Sequence, residues 1–339
     1  MHKNYKVLRF AILSGLLMVF MLIAAWQGNA VKIGNPLHGK TICLDPGHGA
    51  TADSDTFRIG PSGEREEWIN LRVAHLLKEM LESQGAKVVM TRTADTHVEL
   101  AQRAEIAKKA RADVFLSIHH NATADSAVNF PIIYFHGQKS ENEASVLLGS
   151  LLARSFKKHL FGGETTISLV SDLTIYPGSG TAVLRHSYGI PSVIGEASFF
   201  SNPTEEQRLK QPAYNKQEAL AYLESLEAYF SSEIPEIKAK NSLVSIPLFD
   251  AYKAAGRMSE VAKGWLTYFE QGKELMQTGG EEELKKAYEL FTLSAKAFVD
   301  SPVAADCHAY RALIYEIRGE NEKAKIERLR VSEHYVKIE

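Results

Sequence analysis

Three short segments of this 339-residue sequence carry side chains that could bind a metal ion, and a fourth carries one that could move a proton. His48 follows the apolar run in LDPGHG. Glu64, Glu66 and Glu67 crowd GEREEWINL. His119 and His120 stand side by side in SIHHNA, and Glu196 ends the apolar run of PSVIGEASFFSN. Two imidazoles, a carboxylate and a water form a common tetrahedral zinc arrangement for hydrolysis. A strand-end glutamate beside such an ion is well placed as a general base. The segments lack the short HExxH spacing, and each has a plainer reading on its own. A loop histidine is usually structural or exposed, acids at a helix start favour the helix dipole, and Glu196 could be an edge carboxylate.

Helical geometry narrows the acids. Glu66 precedes Asn70, Val73, Ala74 and Leu77 by four, seven, eight and eleven residues, which puts it on the apolar stripe of its helix. An unpaired carboxylate there is costly to bury, and a cation would resolve the cost. Glu64 lies before the stripe, and Glu67 is turned about 100° from Glu66. Adjacent strand residues point to opposite faces, so at most one of His119 and His120 reaches a given site.

The elements that would position these residues alternate. KTICLDPG, AKVVMTR, DVFLSIHHNA, FPIIYFHG and GIPSVIGEASF read as strands. EEWINLRVAHLLKEMLESQG, VELAQRAEIAKKARA, SENEASVLLGSLLARSFKKHL, PTEEQRLKQ and KQEALAYLESLEAYFSS read as helices, with a Gly- and Ser-containing loop before Gly189. This predicts an α/β fold: a mostly parallel twisted sheet with helices on both faces, whose functional residues gather at strand ends. Residues 231–245 are polar, contain Pro235 and read as a linker. Beyond them the chain reads as helical to its end. Ala312, Tyr315, Gly319 and Ala324 have the spacing of a tetratricopeptide-type helix pair, with a degenerate copy before it. The expected organisation is a catalytic domain over 38–232 and an all-α domain over 240–339, either tetratricopeptide-like or a helical hairpin domain packed on the first. A chain ending near Ser232 should then fold and keep its chemistry.

Composition bounds the setting. Hydrophobic residues make up 45% and charged residues 24%, an ordinary globular balance. A formal net charge of −2 gives no reason to expect nucleic acid as a partner. Two cysteines, Cys43 and Cys307, exclude a disulfide framework and a CxxC metal site, and nothing in the sequence brings them together. At the N-terminus Lys3, Lys6 and Arg9 precede an apolar run from Phe10 to Trp26, then Gly28 and Ala30. Residues 1–30 therefore read as a signal peptide or an uncleaved signal anchor, and the rest as exported. Membrane contact is expected only if that segment is retained.

Taken together, ICLDPGHG, EEWINL, VVMTRTAD, LAQRAEIA, ADVFLSIHHNA and VLRHSYGIPSVIGEASFFSNPTEEQRL, in this order, resemble the zinc-dependent N-acetylmuramoyl-L-alanine amidases of the type 3 family, over about Lys40 to Leu209. The resemblance implies one zinc ion per chain, with His48, Glu66 and His119 as ligands and Glu196 as the catalytic acid–base. It also implies an arginine near VLR, here Arg185, that positions substrate or polarises its carbonyl. The substrate implied is peptidoglycan, cut between the lactyl group of N-acetylmuramic acid and L-alanine, in the periplasm or cell envelope. His120 stands where the family usually has a small residue, and the reading favours it as a space-filler. NFPIIYFHG and the segment leading to Arg185 also depart from the family pattern. Rival readings are a zinc peptidase or carboxypeptidase acting on the stem peptide, and a non-catalytic wall-binding scaffold. The C-terminal helices are the candidate surface for a protein partner.

Overall fold

The computed structural model describes residues 34–338 apart from 51, 54 and 55. The signal or anchor segment, 1–30, lies outside the described residues. Leu37–Glu339 form one compact unit. In chain order its elements are β1 (Thr41–Pro46), α1 (Glu66–Ser83), β2 (Lys87–Met90), α2 (Leu100–Ala110), β3 (Val114–Asn121), β4 (Ile132–Phe135), α3 (Glu143–Phe161), β5 (Ser168–Ser171), α4 (Ala182–Ser187), β6 (Ser192–Phe199), α5 (Pro203–Leu209), α6 (Pro212–Phe230), α7 (Ala254–Arg257), α8 (Trp265–Thr278), α9 (Glu281–Ala297), α10 (Ala304–Ile317), α11 (Asn321–His334) and β7 (Tyr335–Val336).

The strands form one sheet in the order β2-β1-β3-β6-β4-β5-β7. The β1–β2, β1–β3, β3–β6 and β4–β5 pairs are parallel, whereas β4–β6 and β5–β7 are antiparallel. Helices cover both faces of this mostly parallel α/β sheet. Leu116 and Ile118 of β3 pack towards Ile69, Val73 and Leu77 of α1, in a core that also holds Leu152 and Phe156 of α3 and Tyr222 and Leu226 of α6. Phe115 of β3 and Ile194 of β6 belong to the opposite layer, with Ala107 of α2 and Leu184 of α4. Alternation along β3 thus sends His119 with Phe115 and His120 with Leu116.

The second layer also contains Phe298, Ala304 and Tyr335. Phe298 lies 5.9 Å, ring centroid to centroid, from Phe130 and 6.2 Å from Phe199. The C-terminal region therefore covers the sheet face that carries Phe115, and β7 pairs with the β5 edge at Val170 and Tyr335. A chain ending near Ser232 would lack Phe298 beside the Phe130–Phe199 cluster. The region is not helical to its end. Its helices pack as α8 on α9 and α10 on α11, with Gly319 in the left-handed region (φ 74°) at the second turn.

Two further differences have local causes. The stretch before Gly189 holds β5 and α4. β5 is only SLVS, four buried residues without alternation, because both of its faces are covered. Residues 231–245 lie against the body of the protein. Ile237 bridges Asn142, and the carboxylate of Glu141 accepts the backbone N–H groups of Asn241 and Leu243 at 2.9 Å each. Cys43 and Cys307 are both buried free thiols.

Candidate active site

Site residues collect at the carboxyl ends of β1, β3 and β6 and at the start of α1. β1 runs into a loop where His48 and Ala50 adopt positive φ (60° and 52°), as does Gly49 between them. Two buried arginines hold this conformation. Arg92 donates to the carbonyls of Pro46 and Gly47 at 2.8 Å each. Arg103 donates to the carbonyls of Pro46 (3.0 Å) and His48 (2.5 Å). Arg103 is anchored in turn by Asp45 at 2.8 Å, which also accepts from Thr91 and Ser117. Burial pushes the Asp45 carboxyl up, but Arg103 and the two hydroxyls outweigh it and hold it below its usual range. The loop glycine matters sterically: a Cβ on Gly47 would collide with the His119 ring.

The donor atoms of His48, Glu66 and His119 all lie within 4.8 Å of one another. His48 Nε2 is 3.0 Å from Glu66 Oε2, and His119 Nδ1 is 2.9 Å from Glu66 Oε1. The two imidazoles meet edge to face with centroids 4.6 Å apart. Burial pulls the His48 imidazole down to about 4, so it is neutral near pH 7, the form that donates a lone pair to a metal. Burial pushes the Glu66 carboxyl up, yet the two histidines and their hydrogen bonds outweigh it and keep it well below the usual range. Two imidazoles and one carboxylate, brought together from the loop after β1, from α1 and from β3, could hold a metal ion.

Glu196 pairs with His119 in the β3–β6 ladder. Its side chain lines the same cavity, of about 800 Å³, as His48, Glu66 and His119. Burial, then the negative charges of Glu66 and Asp300, push its carboxyl well above the usual range. Its Oε2 is buried without a hydrogen-bond partner. Such a carboxyl readily holds a proton and has no structural bond to give up when it releases it.

Other acids have different work. Glu67 is fully buried and accepts the Ala52 backbone N–H at 3.0 Å, and Glu64 pairs with Arg72 at 2.8 Å. The His120 side chain joins a buried polar chain rather than the His48–Glu66–His119 cluster. Its Nδ1 is 2.9 Å from Asn70 Oδ1 and its Nε2 is 3.0 Å from Glu218 Oε2 on α6. Asn70 Nδ2 reaches Glu66 Oε1 at 3.2 Å. His120 is therefore not inert filling, since it supports Glu66 through Asn70. Arg185 lines the cavity, with Nη1 donating to the carbonyls of Ser179 and Gly180 at 3.0 Å each.

Sequence reasoning missed three groups. The Arg58 guanidinium lies against the His48 ring nitrogens, and its Nη1 is 3.6 Å from Glu66 Oε2. Arg257, on α7, lines the cavity and pairs with Asp300 at 3.1 Å, and Asp300 also accepts from the Tyr134 hydroxyl. Nothing in local spacing announces these contacts, which join segments far apart in the chain. Arg103 and Arg92 lay within recognisable segments, but apart from the Arg103–Asp45 pair their partners are backbone carbonyls, which leave no signature in a sequence.

Comparison with known proteins follows the same boundaries. The probable cell wall amidase LytH of Staphylococcus epidermidis is 32% identical over 198 residues, covering 58% of this chain and 61% of that relative. LytH of Staphylococcus aureus is 31% identical over 216 residues, covering 62% of this chain and 67% of the relative. The chain thus spans a little under two thirds of the first relative's length. The CwlD amidase from Clostridioides difficile, solved in complex with the GerS lipoprotein, is 26% identical with a TM-score of 0.50, over 57% of this chain and 99% of that one. The match to the N-acetylmuramoyl-L-alanine amidase family runs over residues 42–228, from β1 into α6. Every strand and helix that brings His48, Glu66, His119 and Glu196 together lies inside that span, and the chain belongs to the N-acetylmuramoyl-L-alanine amidase family.

Proposed function

We propose that this chain is an exported zinc hydrolase of the cell envelope that cleaves the amide bond between the lactyl group of N-acetylmuramic acid and L-alanine in peptidoglycan. The observation that carries this reading is the joining of the His48–Glu66–His119 donor cluster to the partnerless carboxyl of Glu196 in one cavity. Zinc bound by the three donors would act as a Lewis acid and bring the pKa of a bound water from about 16 to about 7. His48 presents a neutral ring, His119 a second imidazole, and Glu66 balances charge while the hydrogen bond from Asn70 fixes its orientation. Glu196 takes the proton from the attacking water and returns it to the leaving nitrogen of L-alanine. Arg185, on the cavity rim, is the candidate for orienting the substrate carbonyl.

Envelope location is supported by the cell wall assignment of the relatives and by the signal-like N-terminus. Among the described residues no helix is long and apolar enough to cross a membrane. Digestion of purified sacculi followed by mass spectrometry of the products tests the reading. The expected products are stem peptides with a free L-alanine amine and glycans with a free lactyl carboxylate. Cuts within the stem peptide that leave the muramoyl–alanine bond intact would make the protein a peptidase, and the absence of any cut would favour a wall-binding scaffold.

A further inference from the structure

A second cavity, of about 410 Å³, adjoins the cleft and shares Ser179 and Arg185 with it. Its other cationic wall residues are Lys240 and Arg330, both beyond the region that matches the amidase family. The cations there outnumber the anions available to them. Among the described residues Arg185 and Lys240 form no ion pair; Lys240 donates to the Arg185 carbonyl at 3.2 Å and lies over the Tyr188 ring at 4.6 Å. Arg330 donates to the Pro247 carbonyl at 2.9 Å and stands 3.7 Å from Glu327, a carboxylate already engaged by Arg311 at 2.8 Å and His308 at 2.6 Å.

The acids close to the cavity are committed elsewhere. Glu141 is held by the backbone of Asn241 and Leu243. Asp172 accepts from the Thr181 N–H and hydroxyl at 2.7 and 2.8 Å and lies 3.0 Å from His136. Burial pulls the Lys240 ammonium below its usual range; Asp172 opposes this, but the like charge of Arg185 adds to it. Like charges converging on a partly enclosed space, with their acids used internally, are stabilised by an anion from outside. Leu248 and Phe249 line the same space, so the ligand needs apolar carbon beside its negative group.

We propose that this cavity is a subsite for a carboxylate of the substrate's peptide stem, supplied by the segment around Lys240 and by Arg330 of α11 and entered past Arg185. The proposal rests on the amidase reading, because the shared Ser179–Arg185 rim is what makes one ligand span both cavities. It gives the C-terminal region a part in choosing substrate, where the matched region carries out the chemistry.

Binding separates this proposal from the cleavage reading. The full chain is titrated calorimetrically with the tripeptide L-alanyl-γ-D-glutamyl-L-lysine and with the same peptide carrying both carboxyls as amides. The carboxylate form should bind about tenfold tighter, the scale of one charge-assisted hydrogen bond. Lys240→Gln, which removes the charge and keeps a side-chain donor, should remove most of that preference, and Lys240→Arg should keep it. In turnover of a muramoyl tripeptide, Lys240→Gln should raise KM by a similar factor with kcat within about twofold. Equal affinity for the two peptides, or a preference untouched by Lys240→Gln, overturns the subsite even if cleavage is normal. Displacement of the peptide by inorganic phosphate at equal concentration overturns the carboxylate assignment in favour of a phosphate site. Carboxylate-selective binding without cleavage leaves the subsite standing and removes the amidase reading.

Discussion

His119 and Glu196 face each other across the β3–β6 ladder, one beside Glu66 and the other with an unpartnered carboxyl oxygen. Register places the candidate metal donor and the proposed proton carrier on the same sheet face without any loop between them. A site built on paired strands is held more tightly than one built on loops.

That pairing separates two roles by mutation. Glu196→Gln keeps size and removes the proton acceptor, so zinc content should match wild type while turnover on defined muropeptide falls at least about 100-fold. Loss of zinc in the same sample would make Glu196 a ligand. A pH experiment on metal-stripped protein gives a second reading. The raised folded pKa of Glu196 means the native state holds a proton that the unfolded chain releases above about 4.5. Stability should therefore fall as pH rises from 4.5 towards the raised value, and Glu196→Gln should flatten that slope. Equal slopes in melting curves of the two proteins would show that Glu196 does not titrate there.

The adjacent histidines should fail differently. His119→Ala is expected to lose both zinc and activity. His120→Ala should still bind one zinc per folded chain, with affinity lowered about 10- to 100-fold through the slackened Asn70–Glu66 contact. It also leaves Glu218 buried without its hydrogen-bond partner, at a cost of about 1–3 kcal/mol. Elemental analysis and denaturant titration on both variants check this, and a His120→Ala protein of wild-type stability would count against the network.

Arg58 and a bound dication draw on the same donors, since its guanidinium lies at the His48 ring and near Glu66. Arg58→Gln should therefore tighten zinc binding in a chelator competition. Weaker binding would show that Arg58 supports the filled site.

Removing the C-terminal region should cost more than targeting. A chain ending at Ser232 loses Phe298 from the Phe130–Phe199 cluster and Asp300 from Tyr134. It is expected to be insoluble or inactive. The single change Phe298→Ala should cost about 3–5 kcal/mol in the whole protein. A soluble, active truncation would return these helices to the status of a separate domain.

The parts of the fold and site that could be read from sequence are those written in short-range pattern. The apolar stripe of α1 marked Glu66, and alternation along β3 separated His119 from His120. β5 was missed because four buried residues on a doubly covered strand carry no alternation. β7 was missed because two residues gain their meaning only from the edge of β5. The same limit hid Arg257 and Asp300: tertiary packing brings them to the cleft, and no local periodicity encodes it.

The pairing of β5 with β7 joins Val170 to Tyr335, about half the chain apart. Closing so large a loop is slow, whereas the loop after β1, α1 and β3, which carry the three candidate metal donors, lie close together in sequence. We therefore expect folding in two kinetic stages, with the donor cluster assembling before the sheet edge is sealed. Zinc added early in refolding should speed the first stage and leave the second unchanged. Stopped-flow fluorescence with and without the metal would show this, and a zinc effect confined to the slow stage would reverse the order. In the cell, a folding chain on such a route would acquire its metal while the β5 edge was still open to pair with another strand.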